Sequence, residues 1–189
     1  MKKILIVLGH PRKKSFCNAL SEEYEKGAKE AGASVKRLDL TKLKFDPILR
    51  LDGKQELEKD LIKSQKLIKW ADHVVLVYPT WWFTYPALLK GWIDRTFMPD
   101  FAYRFHKSGL WDKLLKGRSA RLIVTMDAPP LMYRFLFKAP GHNSIKKGTL
   151  EFCGVKPVRI FNVGSVKRST EEKRLKWLSK AKELGKRMI

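Results

Sequence analysis

Residues 78–97, YPTWWFTYPALLKGWIDRTF, hold the side chains of this chain best suited to binding a flat, conjugated ligand. An apolar strand pattern ends at Tyr78, and Trp81, Trp82 and Phe83 follow shortly after it. In an open α/β sheet, ligands bind in the loops just beyond the carboxyl ends of the strands. Any single ring could fill core, but adjacent rings cannot all face inward. The run therefore favours a platform for a planar ligand.

Two further segments carry polar groups of the kind that hold a ligand. Residues 9–18 run from a predicted strand into a predicted helix, and the helix start, Ser15 and the local Lys and Arg charge together suit an anion. The segment is neither a Walker A loop nor a GxGxxG fingerprint. His10 could bond a phosphate or simply satisfy local backbone, and Cys17 could have a lowered pKa but has no placed partner.

The second polar segment, residues 125–133, is the third segment of the candidate site. It is stiffened by prolines and ends in the hydroxyl of Tyr133. His142 lies further along the chain, and a purely structural interpretation is a turn residue before a helix. The sequence contains no Ser-His-Asp set, no paired carboxylates and no cluster with metal-ligand spacing, so hydrolysis and metal chemistry have little support.

These segments need a scaffold, and the hydrophobic pattern indicates one. Predicted strands cover residues 3–9, 34–39, 73–78, 121–126 and 159–163, and predicted helices cover residues 15–31, 54–70, 86–97, 143–152 and 170–187. Strict alternation implies a parallel sheet covered by helices on both faces, which is a three-layer, doubly wound α/β fold. If the strand order is 2-1-3-4-5, all three segments open onto one crevice. The longer irregular stretches, 40–53, 99–117 and 127–141, are of a length that is usually functional.

Length and composition limit the possible classes of protein. The 189 residues predict one domain over 1–189, and no apolar run is long enough to span a membrane. Two distant cysteines fit a reducing cytoplasm. The net charge of +21 would suit nucleic acid, but the basic residues are spread over every segment, which favours a solvated surface over a specific nucleic-acid site.

The segments GHPRKKSFCNAL, YPTWWFTYPALLKGWIDRTF, FAYRF and LEFCGVKPV resemble the NAD(P)H:quinone oxidoreductase family, which has a flavodoxin-like fold. The resemblance runs from Lys3 to about the last strand. It implies noncovalently bound FMN or FAD, NADH or NADPH as electron donor, a quinone-like acceptor, and a homodimer with its active site between the subunits.

The resemblance also implies roles for particular residues. It places the flavin phosphate at His10, Ser15, Phe16, Cys17 and Asn18, the flavin ring at Pro79, Thr80, Trp81, Trp82 and Phe83, and the ring's polar edge at Thr125 and Asp127. Tyr133 matches a catalytic tyrosine, and His142 is an approximate counterpart of the catalytic histidine, after a longer spacing and with different neighbours. Tyr103 and Phe105 match the aromatics that one subunit lends to its partner's substrate pocket. The family's third loop reads TTGG, whereas this chain has TMDA at residues 125–128.

The resemblance implies a ping-pong reaction, in which the nicotinamide leaves before the acceptor binds in the same place. Tyr133 would hydrogen-bond the acceptor and His142 would donate a proton. Asp127 and Ala128 replace glycines that allow close backbone approach. This departure leaves a second hypothesis open, a regulatory or ancillary protein of an ion-transport system that keeps the scaffold with little turnover.

Overall fold

The computed structural model describes residues 1–12, 14–50 and 55–188. These residues form seven strands: β1 (Lys3–Leu8), β2 (Ser34–Asp39), β3 (His73–Pro79), β4 (Tyr103–Phe105), β5 (Trp111–Lys113), β6 (Ser119–Thr125) and β7 (Val158–Val163). Five of them form one parallel sheet in the order β2-β1-β3-β6-β7. With the short β4–β5 hairpin set aside, this is the predicted order 2-1-3-4-5, and the flavodoxin-like fold class is confirmed.

Six α-helices accompany the strands in the described residues: α1 (Phe16–Glu30), α2 (Lys59–Trp70), α3 (Ala87–Thr96), α4 (Pro130–Phe135), α5 (Pro140–Asn143) and α6 (Glu171–Arg187). Side chains alternate along each strand, so β1 contributes to both faces of the sheet. Ile4 and Ile6 pack with α1 and α6, whereas Leu5 and Val7 pack with α2 and α3. Both faces are thereby covered, as the near-continuous apolar strands require.

The first and last helices begin and end where local chemistry predicts. The Ser15 hydroxyl accepts a hydrogen bond from the Asn18 N–H, and the Thr170 hydroxyl accepts one from the Lys173 N–H. Gly32 follows α1 with φ +80°, a conformation that costs glycine little. Both helices therefore lie within one residue of their predicted bounds at each end.

Three predictions needed correction, and one lies partly outside the described residues. The predicted helix 143–152 is entered through α5 and continues as a π-helix, Ser144–Glu151, in which Ile145 and Leu150 are buried five residues apart. The stretch 127–141 contains α4, because a proline is well tolerated at the first helical position. The stretch 99–117 contains β4 and β5, whose three-residue strands are too short to show a pattern. The predicted helix start at Lys54 lies outside the described residues, and residues 55–58 of that prediction are not helical, because α2 begins at Lys59.

Candidate functional site

The aromatic segment and the two polar segments meet at one edge of the sheet. They follow the carboxyl ends of β1, β3 and β6, which are neighbours in the sheet. The Gly9 N–H bonds the Val77 carbonyl at 2.8 Å, and the Thr80 N–H bonds the Thr125 carbonyl at 2.7 Å. The chain leaves β1 and β3 towards opposite faces here, which makes this the switch point where doubly wound folds bind ligands.

A pocket of about 320 Å³ lies at this point, and we call it the switch-point pocket. It brings together eight of the predicted binding residues: His10, Ser15, Phe16, Cys17, Pro79, Thr80, Trp81 and Thr125, with Asp127 as a ninth. Arg12, Lys14, Met126 and Val166 complete its lining. Sequence reasoning noted the basic charge of the first segment but missed Val166. That residue follows β7 at the same edge of the sheet, and its position after a strand end was the available signal.

The first segment presents hydrogen-bond donors to this pocket. The His10 Nδ1 accepts a bond from the Arg12 N–H at 3.0 Å, so the ring proton lies on Nε2. Burial and the Arg12 charge lower the pKa of His10, which keeps the ring neutral. At the start of α1, the N–H groups of Phe16 and Cys17 have no intrahelical acceptor, because they belong to the first turn. Together these donors form an anion site.

Cys17 contributes its backbone rather than a reactive sulfur. Its side chain is buried and lies 3.2 Å from the Thr125 hydroxyl. Burial raises the pKa of the Cys17 thiol to about 12. The sequence left open a lowered pKa for Cys17, but the structure shows a raised one. The thiol therefore stays protonated at neutral pH.

Asn18 points away from the pocket, unlike the other residues of the first segment. Its side-chain amide donates to the Glu22 carboxylate at 2.8 Å and accepts from Arg37 at 2.9 Å. Its backbone N–H is already taken by Ser15. The binding role predicted for Asn18 finds no geometric support in this conformation.

The aromatic segment after β3 folds as a tight turn. Trp81 and Thr84 exchange two backbone hydrogen bonds of 2.9 Å, and the central residues Trp82 and Phe83 have φ values of 48° and 61°. Bulky side chains rarely adopt positive φ, so the turn carries backbone strain. Trp82 is also 96% exposed. A strained turn that displays an exposed tryptophan beside a pocket is typical of a binding surface.

The three rings of this turn take different directions. Trp81 lines the switch-point pocket and meets the His10 ring edge-on at 5.9 Å. Phe83 packs against Tyr133 in a parallel arrangement at 6.3 Å and against Phe137 at 4.3 Å. Trp81 is thus the aromatic wall of the pocket in one chain, whereas Trp82 and Phe83 lie outside it.

The third segment holds its acidic residue in place. The Asp127 carboxylate accepts a bond from the Lys167 N–H at 3.0 Å, in the 3₁₀ turn Val166–Arg168. The Ala128 carbonyl accepts one from the Ser165 N–H at 3.3 Å. Asp127 therefore ties the loop after β6 to the loop after β7 and places a carboxylate at the rim of an otherwise basic pocket.

Tyr133 and His142 form a separate buried pair. The Tyr133 hydroxyl donates to the Phe83 carbonyl at 2.7 Å and accepts from the Gly141 N–H at 3.0 Å. The His142 ring meets Tyr133 edge-on at 4.8 Å. Burial raises the pKa of Tyr133 and lowers that of His142 to about 4, so both are neutral at pH 7. Neither lines the switch-point pocket, and their catalytic roles stay predictions.

Tyr103 and Phe105 lie on the β4–β5 hairpin, in an aromatic cluster with Trp111 and Phe152. They line an apolar cavity of about 360 Å³ next to α3, which shares no residue with the switch-point pocket. Within one chain the structure does not bring them to the switch point.

Comparison with known proteins identifies the family. The sequence model of the family described as having a flavodoxin-like fold matches residues 2–185. An uncharacterized NAD(P)H oxidoreductase of Haemophilus influenzae is 30% identical over 86% of this chain and 83% of its own length. This chain belongs to the flavodoxin-like NAD(P)H oxidoreductases. The prediction that the protein is an oxidoreductase of this family is confirmed.

Two further proteins are similar to this chain, one in sequence and one in fold. The human ribosyldihydronicotinamide dehydrogenase (quinone) is 31% identical over 82% of this chain and 78% of its own length. An FMN-dependent NADH-azoreductase from Bacillus anthracis, solved in complex with FMN, has a TM-score of 0.79, 19% identity, and a match covering 99% of each chain. At that identity the azoreductase shows the fold alone.

The described residues, 1–12, 14–50 and 55–188, contain no helix long and apolar enough to cross a membrane. In the same residues no group of three or more His, Cys, Asp or Glu side chains is placed to hold a metal ion.

Proposed function

We propose that the protein transfers two electrons from NADH or NADPH to a quinone-like acceptor, through noncovalently bound flavin, FMN or FAD. The observation that carries the proposal is the switch-point pocket, where free N–H groups and basic side chains lie beside an aromatic wall. The family assignment supports the nicotinamide donor, the human relative's name supports a quinone acceptor, and the azoreductase supplies an FMN-bound example of the fold.

The residues present fit a flavin. A flavin phosphate needs several donors at one point, and the first turn of α1 offers the N–H groups of Phe16 and Cys17 with Arg12 and Lys14 nearby. A flavin ring needs an apolar, flat contact, which Trp81 provides. The Cys17 thiol is buried and protonated, so it adds no negative charge beside the phosphate site.

When bound, the flavin supplies hydride acceptance from the nicotinamide and two-electron donation to the acceptor. The protein's residues bind and orient the partners. Phe16 and Cys17 hold the phosphate with their N–H groups, His10 adds its Nε2–H, and Trp81 excludes water from one side of the ring. The donor and acceptor would use the open side in turn, which is the ping-pong scheme. For Tyr133 to contact the acceptor, the Tyr133 hydroxyl would have to give up its hydrogen bond to Phe83 or to Gly141.

A second depression bears on the choice between FMN and FAD. It has a volume of about 470 Å³, lies between α1 and α6, and shares Phe16 with the switch-point pocket. Arg174 and the apolar side chains of Leu175 and Leu178 line it. The adenosine of FAD would have a place there that FMN would leave empty, so within this proposal FAD is the favoured flavin.

We also propose that the protein is a cytoplasmic homodimer whose second copy covers an apolar surface on α4. Leu131, Met132 and Phe135 are exposed on this short helix, Leu136 is exposed at its C-cap, and Trp82 is exposed on the neighbouring turn. Exposed apolar clusters of this kind mark interaction surfaces. Light scattering should show a dimer for the parent and a monomer for F135S/L136S; a parent that stays monomeric at every concentration tested would contradict this part of the proposal.

The proposal is tested by releasing the flavin from purified protein and identifying it by chromatography. We expect one flavin per chain, with FAD in excess over FMN. The double variant R12Q/K14Q should bind flavin about tenfold more weakly, because two charge-assisted contacts to phosphate are lost. The matched control K63Q/K66Q removes the same charge from α2 and should bind as the parent does. Protein that takes up neither flavin would contradict the proposal.

A further inference from the structure

A second polar cavity, of about 490 Å³, lies beside the edge strand β7, and we call it the β7 pocket. Ile160 and Asn162, two residues apart on β7, form one wall. The other residues come from α4 through the π-helix: Arg134, Lys138, Ala139, His142, Asn143, Lys146 and Lys147. None of these residues lines the switch-point pocket, so the two sites are separate.

The lining of the β7 pocket carries four cationic side chains, those of Arg134, Lys138, Lys146 and Lys147, and no carboxylate. Arg134 lies over the Phe135 ring at 5.3 Å. Within the part of the chain that the structure describes, no carboxylate forms an ion pair with any of the four. In a chain with 40 basic and 19 acidic residues, a basic surface alone does not indicate a ligand.

Two buried polar atoms distinguish the β7 pocket from an ordinary basic surface. His142 is only 5% exposed, and its Nε2 has no hydrogen-bond partner among the described residues. The Oδ1 of Asn162 is likewise buried without a partner there. Leaving such an atom unpaired costs about 1–3 kcal/mol, and native proteins contain few of them. Both atoms belong to residues that line one cavity, which points to a polar ligand as the missing partner.

We propose that the β7 pocket binds a phosphate-type oxyanion, with the His142 Nε2–H and the Asn162 amide as buried contacts and Lys146 and Lys147 as the main charge partners. A neutral imidazole in its Nε2–H form donates to a phosphate oxygen. The Asn162 amide oxygen accepts from a P–OH group, or the amide donates after a 180° rotation. Lysine supplies point charges that suit phosphate.

Hydrogen phosphate matches these groups better than chloride or a carboxylate does. It has acceptor oxygens for His142 and the lysines, and it has a hydroxyl that can donate to Asn162. Chloride cannot donate and makes no directed contact with two separate polar groups. The phosphate could be inorganic or the terminal group of a small phosphomonoester. Both offer acceptor oxygens to His142 and the lysines, but the monoester is mostly dianionic at neutral pH and has no hydroxyl, so it would need the rotated Asn162 amide as a donor.

The test is a titration of full-length, ¹⁵N-labelled protein with inorganic phosphate at constant ionic strength, with the histidine ring nitrogens observed by NMR. The chain has four histidines, and the H142Q variant assigns the resonance of interest. We expect a saturable shift of the His142 Nε2 signal. A shift of the same size with sodium chloride alone, or a shift that does not saturate, would overturn the proposal.

Variants that remove positive charge provide an independent test of phosphate binding. K146Q/K147Q should weaken phosphate binding about tenfold, equivalent to about 1.4 kcal/mol. The control K63Q/K66Q removes the same charge from exposed positions on α2, where neither lysine forms an ion pair with a described residue. It should leave the affinity unchanged. Equal weakening by both double variants would show a diffuse charge effect and overturn the proposal.

Glycerol 3-phosphate as a second probe separates the two sources of phosphate. Binding of both probes assigns the pocket to a phosphomonoester end, and binding of inorganic phosphate alone assigns it to the free anion. Binding of neither contradicts the proposal. The result does not depend on flavin, because the titration is read at His142 and the β7 pocket shares no residue with the switch-point pocket.

Discussion

Replacing Tyr133 by Phe removes one buried hydroxyl that joins the aromatic turn to the start of α5. The hydroxyl bonds the Phe83 carbonyl at 2.7 Å and the Gly141 N–H at 3.0 Å. The Gly141 N–H also reaches the Phe83 carbonyl at 3.1 Å, so neither group is left without a partner. The cost should therefore lie near the net value of one hydrogen bond, about 1 kcal/mol. For a domain of this size, that lowers Tm by about 2–4 °C.

The same substitution should weaken flavin binding. Phe83 sits at positive φ in the turn beside Trp81, and loss of one of the two hydrogen bonds to its carbonyl loosens that turn. If the full 1 kcal/mol is lost from the bound state, affinity falls about fivefold. Thermal unfolding measures the first effect, and quenching of flavin fluorescence on binding measures the second.

Tyr78→Phe is the matched control. Tyr78 is also fully buried at the switch point, but its hydroxyl has no partner among the described residues. Removing an unpaired buried hydroxyl should leave Tm unchanged or raise it. If Tyr133→Phe proves as stable as the parent while Tyr78→Phe is destabilised, the assignment of hydrogen bonds around the aromatic turn is wrong.

Three further outcomes follow from the site. Ser15→Ala should lower the free energy of unfolding by about 1 kcal/mol through loss of the α1 N-cap, measured by urea unfolding; an unchanged midpoint would refute the cap. Cys17, whose pKa is about 12, should resist iodoacetamide at pH 8 in the native state and react once unfolded; rapid native labelling would contradict its burial. His73 and His142 have folded pKa values of about 3 and 4, below the unfolded 6.5, so the unfolded state binds more protons as pH falls. Stability should thus drop by a few kcal/mol from pH 6.5 towards 4, and His142→Gln should flatten that slope.

Much of the fold could be predicted because the central strands β1 and β3 are almost continuously apolar and the first and last helices have clear boundaries. The cap at Ser15 and the glycine at Gly32 each depend on local chemistry that the sequence displays directly. The π-helix could not be predicted, because a five-residue spacing of buried side chains such as Ile145 and Leu150 resembles a slightly irregular α-helix. The β4–β5 hairpin was missed because its pairing partners, not its three-residue pattern, define it.

The residues of the candidate site also fall into those that the sequence could predict and those that it could not. Residues that face the pocket because of their place at a strand end or helix start, such as Ser15, Cys17 and Thr80, could be predicted from topology. Side-chain direction could not, and it separates Asn18, which pairs with Arg37, from the pocket. The β7 pocket escaped prediction because its buried atoms come from segments about 20 residues apart, and only the folded chain shows that neither has a partner.

In the proposed function, the switch-point pocket holds a flavin that accepts electrons from a nicotinamide and passes them on. The most direct test is the visible absorbance of flavin-loaded protein under anaerobic conditions. We predict that NADPH or NADH bleaches the flavin absorbance and that a simple quinone, added afterwards, restores it. A flavin-loaded protein whose absorbance is unchanged by both nicotinamides would contradict the claim.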